Sequence, residues 1–96
     1  MRVTVRDAEL GRLLIMGRNL GEVARITKRE LGWRRIASNR WLTPDHDEVV
    51  YVSLPEHLDR YQDGCLVYLM PGASDRDDWY ELQAELLVRR HLVREL

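Results

Sequence analysis

The chain has 96 residues, of which 45% are apolar and 32% charged, and its formal net charge is −1. This length supports one domain with a real core and excludes two, so a single α/β domain spanning 1–96 is expected. The near-neutral balance removes any global electrostatic case for nucleic acid or an anionic membrane, although the charges are unevenly spread and leave room for a local basic face.

Other compositional features narrow the setting. The longest uninterrupted apolar run, 65–70, is far too short to span a bilayer. The opening Met1-Arg2-Val3-Thr4-Val5-Arg6-Asp7 lacks the basic-then-apolar order of a signal peptide. The single cysteine, Cys65, lies inside that apolar run, which predicts a reduced, cytoplasmic environment and a soluble chain. Lys28 is the only lysine and phenylalanine is absent, the bias that a GC-rich coding sequence of a bacterium or its phage produces.

In chain order, Val3-Thr4-Val5 alternates and would add an N-terminal strand, paired antiparallel with the next through a turn at Glu9-Leu10-Gly11. Leu13-Leu14-Ile15-Met16 is a continuous apolar run of the kind that suits a strand buried on both faces. A helix then begins at Asn19, a good N-cap with Glu22 at the capping-box position. Its stripe is Leu20, Val23, Ala24, Thr27 and Leu31, and Gly32 stands where a left-handed residue closes a helix.

The more polar segment 33–37 predicts an edge strand, followed by a long charged loop over 39–48. Val49-Val50-Tyr51-Val52 is the next buried strand. A second helix is expected from Ser53, with Pro55 in its first turn and Asp63-Gly64 at its end. The strand at 65–70 leads through Pro71-Gly72 to a third and longest helix. Ser74 is its expected N-cap, and Asp75, Asp77 and Asp78 crowd its first turn. Arg89, Arg90, His91 and Arg94 occupy the last, which matches the helix dipole. Trp79, Leu82, Leu86 and Val93 form the stripe of that helix, with Leu87 beside it. The order βαββαβα implies a mostly parallel four-stranded sheet in a two- or three-layer domain.

Candidate sites follow from this placement. Gly17, Arg18, Asn19 and Gly21 join a strand to a helix, the position where α/β folds bind phosphate. The spacing fits neither the dinucleotide fingerprint nor the P-loop, and Glu22 puts a negative charge where the anion would sit. Asp45-His46-Asp47-Glu48 has metal-ligand residue types without ligand spacing, so no metal or other cofactor is expected. Cys65 reads as a small core hydrophobe, and neither it nor Ser38, Ser53 or Ser74 sits in a nucleophile motif, so no catalytic residue is assigned.

Arg25, Lys28 and Arg29 lie on one side of the first helix, with Arg34, Arg35 and Arg40 soon after. Sharing a surface with Trp33 or Trp41, they would form a basic aromatic patch suited to an acidic partner or nucleic acid. Trp79 is expected in the core. Trp41 and Leu42, an apolar pair on a charged loop, are the expected interface anchor, with Arg40, Arg35 and Trp33 around them.

The run from Gly17 into the first helix, Leu31-Gly32-Trp33 into a short strand, then Val50-Tyr51-Val52-Ser53 and Leu66-Val67-Tyr68-Leu69 resembles small uncharacterised α/β proteins of actinobacterial phages. That resemblance implies a phage accessory role and no catalytic residue. The element order also resembles BRCT domains, with Trp79 in the last helix but without their Gly-Gly turn after the first helix. This second likeness is one of topology, which does not transfer function. The leading expectation is a non-catalytic binding module acting on a host or phage macromolecule, most readily a protein. A nucleotide or phosphometabolite binder using the Gly17–Gly21 turn, with or without enzymatic activity, and a homo-oligomeric structural subunit are the alternatives.

Overall fold

A computed structural model describes residues 13–61 and 63–96. Its centre is β1 (Leu13–Met16), and the runs identified as doubly buried strands surround it. β4 (Glu48–Tyr51) and β5 (Leu66–Leu69) pair with β1 on either side, both parallel to it. Leu14 and Met16 face one apolar cluster and Ile15 the other, so β1 is buried on both faces. This is the physical content of an unbroken apolar run, because alternate strand residues point to opposite sides.

The sheet is larger than expected and mixed. Among the described residues six strands run in the order β2-β3-β4-β1-β5-β6, where β2 is Arg34–Ala37, β3 Arg40–Leu42 and β6 Leu92–Glu95. β2 is the exposed edge strand that 33–37 predicted, but it belongs to an antiparallel hairpin with β3, turning at Ser38-Asn39. β3 in turn pairs antiparallel with β4. The stretch 39–48 is therefore no single long loop; its first part is a strand, and only the tight turn around Thr43 is loop. There Thr43 Oγ1 accepts the Asp45 and Asp47 N–H groups at 3.2 and 3.1 Å.

Helix α1 (Leu20–Ile26) starts as its sequence requires: the Asn19 side chain accepts the Glu22 N–H at 2.8 Å. A π turn over Thr27–Leu31 extends it to Gly32, which closes it at φ +67°. Val23 and Ile26 pack with Ile15, Trp41, Val49 and Met70 on one face of the sheet. On the other face, Leu58, Leu82 and Leu86 cover Leu14, Met16, Val50 and Val67. The domain thus has three layers.

The second and third helices depart from expectation. The segment after β4 forms only a 3-10 turn over Pro55–Arg60, without a side-chain cap. Pro55 and Leu58 are buried, while Glu56, Asp59 and Arg60 are exposed, so too little apolar face exists to extend the turn. Ser74 lies inside a short 3-10 turn (Ala73–Asp75) and caps nothing; α2 (Trp79–Val88) begins five residues later, after Asp78. Its C-terminus also comes early. Arg90 adopts φ +57°, the chain reverses, and 92–95 becomes β6, parallel to β5. Val93 is consequently a strand residue and not part of a helical stripe. The N-terminal strand expected at Val3-Thr4-Val5 lies outside the described residues. Among those described, no helix is long and apolar enough to cross a membrane.

Candidate functional site

The β2–β3 hairpin brings the predicted interface residues next to α1, but not all to one surface. Successive strand residues point to opposite faces, so Trp41 and Leu42 cannot be displayed as a pair. Trp41 turns inward beside Val49 and is only 1% exposed. This corrects the expectation of a displayed anchor: once 40–42 is a strand, the pleat sends its central side chain under α1. Leu42 is half-buried on the opposite side, and Arg40 Nη1 is held by Glu48 Oε2 at 2.9 Å across the strand pair.

What remains at the surface is a groove of about 600 Å³ between α1 and the hairpin, lined by Gly21, Ala24, Arg25, Lys28, Trp33, Arg35 and Trp41. Arg35, opposite Trp41 in the β2–β3 register, places its guanidinium 5.4 Å from the Trp41 ring centroid. Trp33 follows the helix-closing Gly32; its N–H donates to the Thr27 carbonyl at 3.0 Å and its ring meets Tyr68 edge-on at 5.5 Å. Arg25 has Glu22 at 3.9 Å, too far for a tight ion pair. Three cations and no carboxylate line the groove among the described residues. The fold therefore unites Arg25 and Lys28 of α1 with Trp33, Arg35 and Trp41 of the hairpin region, and leaves Arg40 and Leu42 outside.

The strand-to-helix turn after β1 is closely packed and internally bonded. Gly17 is buried, and a Cβ there would lie 2.7 Å from Val23 Cγ2 and 3.1 Å from Met70 Cβ. Its role is close helix–strand packing. Arg18 Nη2 binds Asp75 Oδ2 at 2.6 Å, and the Asn19 carboxamide is occupied by the Glu22 N–H. Gly21 faces the basic groove instead.

Arg76 sits at the C-terminal ends of the central strands and escaped notice in the sequence, where it stands among acids. Its side chain is 8% exposed. Nη1 donates to the Gly17 carbonyl at 2.9 Å and Nη2 to that of Ser53 at 2.6 Å, while Nε and Nη2 grip both Asp78 oxygens at 2.8 and 2.9 Å. The bonded guanidinium holds the Asp78 carboxyl below its ordinary range. Doubly wound sheets bind ligands at the carboxyl ends of their strands; here Arg76 bonds carbonyls just beyond the ends of β1 and β4.

His91, expected in the last turn of the third helix, lies instead at the reversal before β6. It is buried, its Nδ1 accepts the Cys65 N–H, and its Nε2 has no hydrogen-bond partner among the described residues. Cys65 is itself buried in the same cluster as Leu86. Among the described residues no group of three or more His, Cys, Asp or Glu is placed to hold a metal ion. Comparison with protein-family models, with curated protein sequences and with solved structures gave no match.

Proposed function

We propose that the chain is a non-catalytic binding module that holds an acidic segment of a partner protein in the groove between α1 and the β2–β3 hairpin. The observation that carries this reading is the convergence of Arg25, Lys28 and Arg35 around Trp33, with no carboxylate lining the groove among the described residues. Cations at the rim attract and orient an acidic chain, and an aromatic wall gives it apolar contact.

Nucleic acid is disfavoured by the state of the aromatic rings. Single-stranded binders offer free π-faces for stacking, whereas Trp41 is buried beneath Arg35 and Trp33 is engaged with Tyr68. A phage or prophage accessory role belongs to the same proposal, supported by the arginine-rich composition and by the resemblance of the strand and turn segments to phage proteins.

Tryptophan fluorescence during titration with a decameric glutamate peptide tests the reading. A saturable, salt-sensitive change that disappears in the Arg25→Glu, Lys28→Glu double variant is expected. No response to the peptide, or tighter binding of oligothymidine than of the peptide, would overturn it.

A further inference from the structure

Among the described residues, the groove between α1 and the hairpin carries its charges on two banks and none between them. Arg25 and Lys28 stand on the helix side and Arg35 on the hairpin side, while Gly21, Ala24, Trp33 and Trp41 supply the rest of the lining. Gly21 and Ala24 are i and i+3 on α1, so the helix presents only a hydrogen and a methyl group there. Arg35 is pinned in place: its Nη2 donates to the Ser38 carbonyl at 2.6 Å while the guanidinium covers Trp41. Trp33, half-buried against Tyr68, is the largest apolar side chain that this lining leaves open.

A segment lying in this groove must set some side chain against the uncharged middle. A carboxylate there would lose water without gaining a counter-charge, which is costly, whereas an apolar side chain is driven in by its own desolvation. Resting on the reading of the groove as a site for an acidic segment, we infer that the segment carries one bulky apolar residue seated against Trp33 and Ala24, with an acidic residue immediately before and after it.

Chain geometry gives the spacing. In an extended segment with three residues per turn, successive side chains diverge by about 120°. With one directed to the middle of the groove, its two neighbours reach the two banks, where Arg25 and Lys28 meet one carboxylate and Arg35 the other. A flat β-strand would instead send both neighbours away from the groove. The recognised element is acidic–apolar–acidic, so the groove reads a pattern and not total negative charge. Its two parts respond differently to salt: attraction at exposed cations is screened, whereas apolar burial is not.

Titration with three decapeptides tests it: decaglutamate, and two in which the fifth glutamate is replaced by leucine or by serine. The leucine and serine peptides carry equal charge, so their affinity ratio isolates the apolar residue. The leucine peptide should bind at least about tenfold more tightly than the serine peptide, equivalent to roughly 1.4 kcal/mol. That ratio should hold from about 50 to about 300 mM salt while both affinities fall. Ala24→Leu, which fills the seat, should bring the ratio close to one, with circular dichroism verifying the fold; the wild-type ratio decides alone if this variant does not fold. Binding of decaglutamate with equal affinities for the leucine and serine peptides would overturn the apolar seat and leave acidic recognition standing. Failure of all three peptides to bind would overturn the reading of the groove itself. A ratio undiminished in folded Ala24→Leu would overturn the placement against Ala24.

Discussion

The Nδ1 of His91 accepts the backbone N–H of Cys65 at 3.0 Å, tying the reversal after α2 to the entrance of β5. An acceptor nitrogen carries no proton, so this bond fixes the neutral imidazole with its hydrogen on Nε2. Burial, the largest cause, pushes the His91 pKa below 6.5; Arg89 adds to the effect and Asp63 opposes it. The unfolded chain then binds the proton more readily than the folded one. Stability associated with His91 is full above about pH 6.5 and is lost as pH falls from there toward the depressed folded value. Urea denaturation at stepped pH should show this decline. In His91→Gln, which retains an acceptor but does not titrate, the decline over that window should be smaller. Equal slopes for the two proteins would refute the assignment.

Arg76 joins the ends of β1 and β4 to the start of α2 through one guanidinium. Its replacement by Met strands two carbonyl acceptors and the Asp78 carboxylate, and should cost about 2–4 kcal/mol. Arg76→Lys should recover little, since a point charge cannot reproduce the fork. The lowered Asp78 pKa adds a second, separate window: its contribution is present above about pH 4 and disappears as pH falls toward the depressed value. Asp78→Asn should remove that acid-side loss in denaturation curves.

The burial of Trp41 predicts that Trp41→Ala costs about 3–5 kcal/mol, the range for deleting a large core side chain. Arg40→Ala, which releases an exposed ion pair with Glu48, should cost less than about 1 kcal/mol. Thermal and chemical denaturation of the two variants separate a core tryptophan from a surface one; near-wild-type stability of Trp41→Ala would contradict the packing described.

Two glycines near the first turn should respond oppositely. Gly17→Ala forces a Cβ into Val23 and Met70, and overpacking of that kind costs about 1–3 kcal/mol. At Gly21 the nearest atom to an added Cβ is Asn19 Oδ1 at 3.5 Å, an ordinary contact, so alanine should stabilise α1 by up to about 1 kcal/mol. Melting temperatures moving the same way in both variants would reject this account of the turn.

The elements legible in the sequence are those specified by residues close together along the chain. Asn19, Glu22 and Gly32 bound α1 because a cap and a left-handed residue act within one helical turn. The apolar runs at β1, β4 and β5 identify strands buried on both faces, since only that environment covers every side chain of such a run. The edge position of 33–37 followed from its polarity. The basic groove was legible only as a condition, that the helix cations and a tryptophan share a surface.

What the tertiary structure decided are the elements whose partners lie far away in sequence. β3 and β6 mix charged and apolar residues and become strands because β4 and β5 offer them open hydrogen-bonding edges. Nothing in 86–96 breaks the helical pattern by composition; the reversal depends on Arg90 in a left-handed conformation and on His91 reaching Cys65. Trp41 gives no periodic sign of burial within a three-residue strand, and its environment is supplied by α1 and β4. Arg76 likewise finds its acceptors on two separate strands. Local propensity sets caps and runs because the interactions are short-range, whereas burial and hydrogen-bond pairing depend on which distant surfaces the fold brings together.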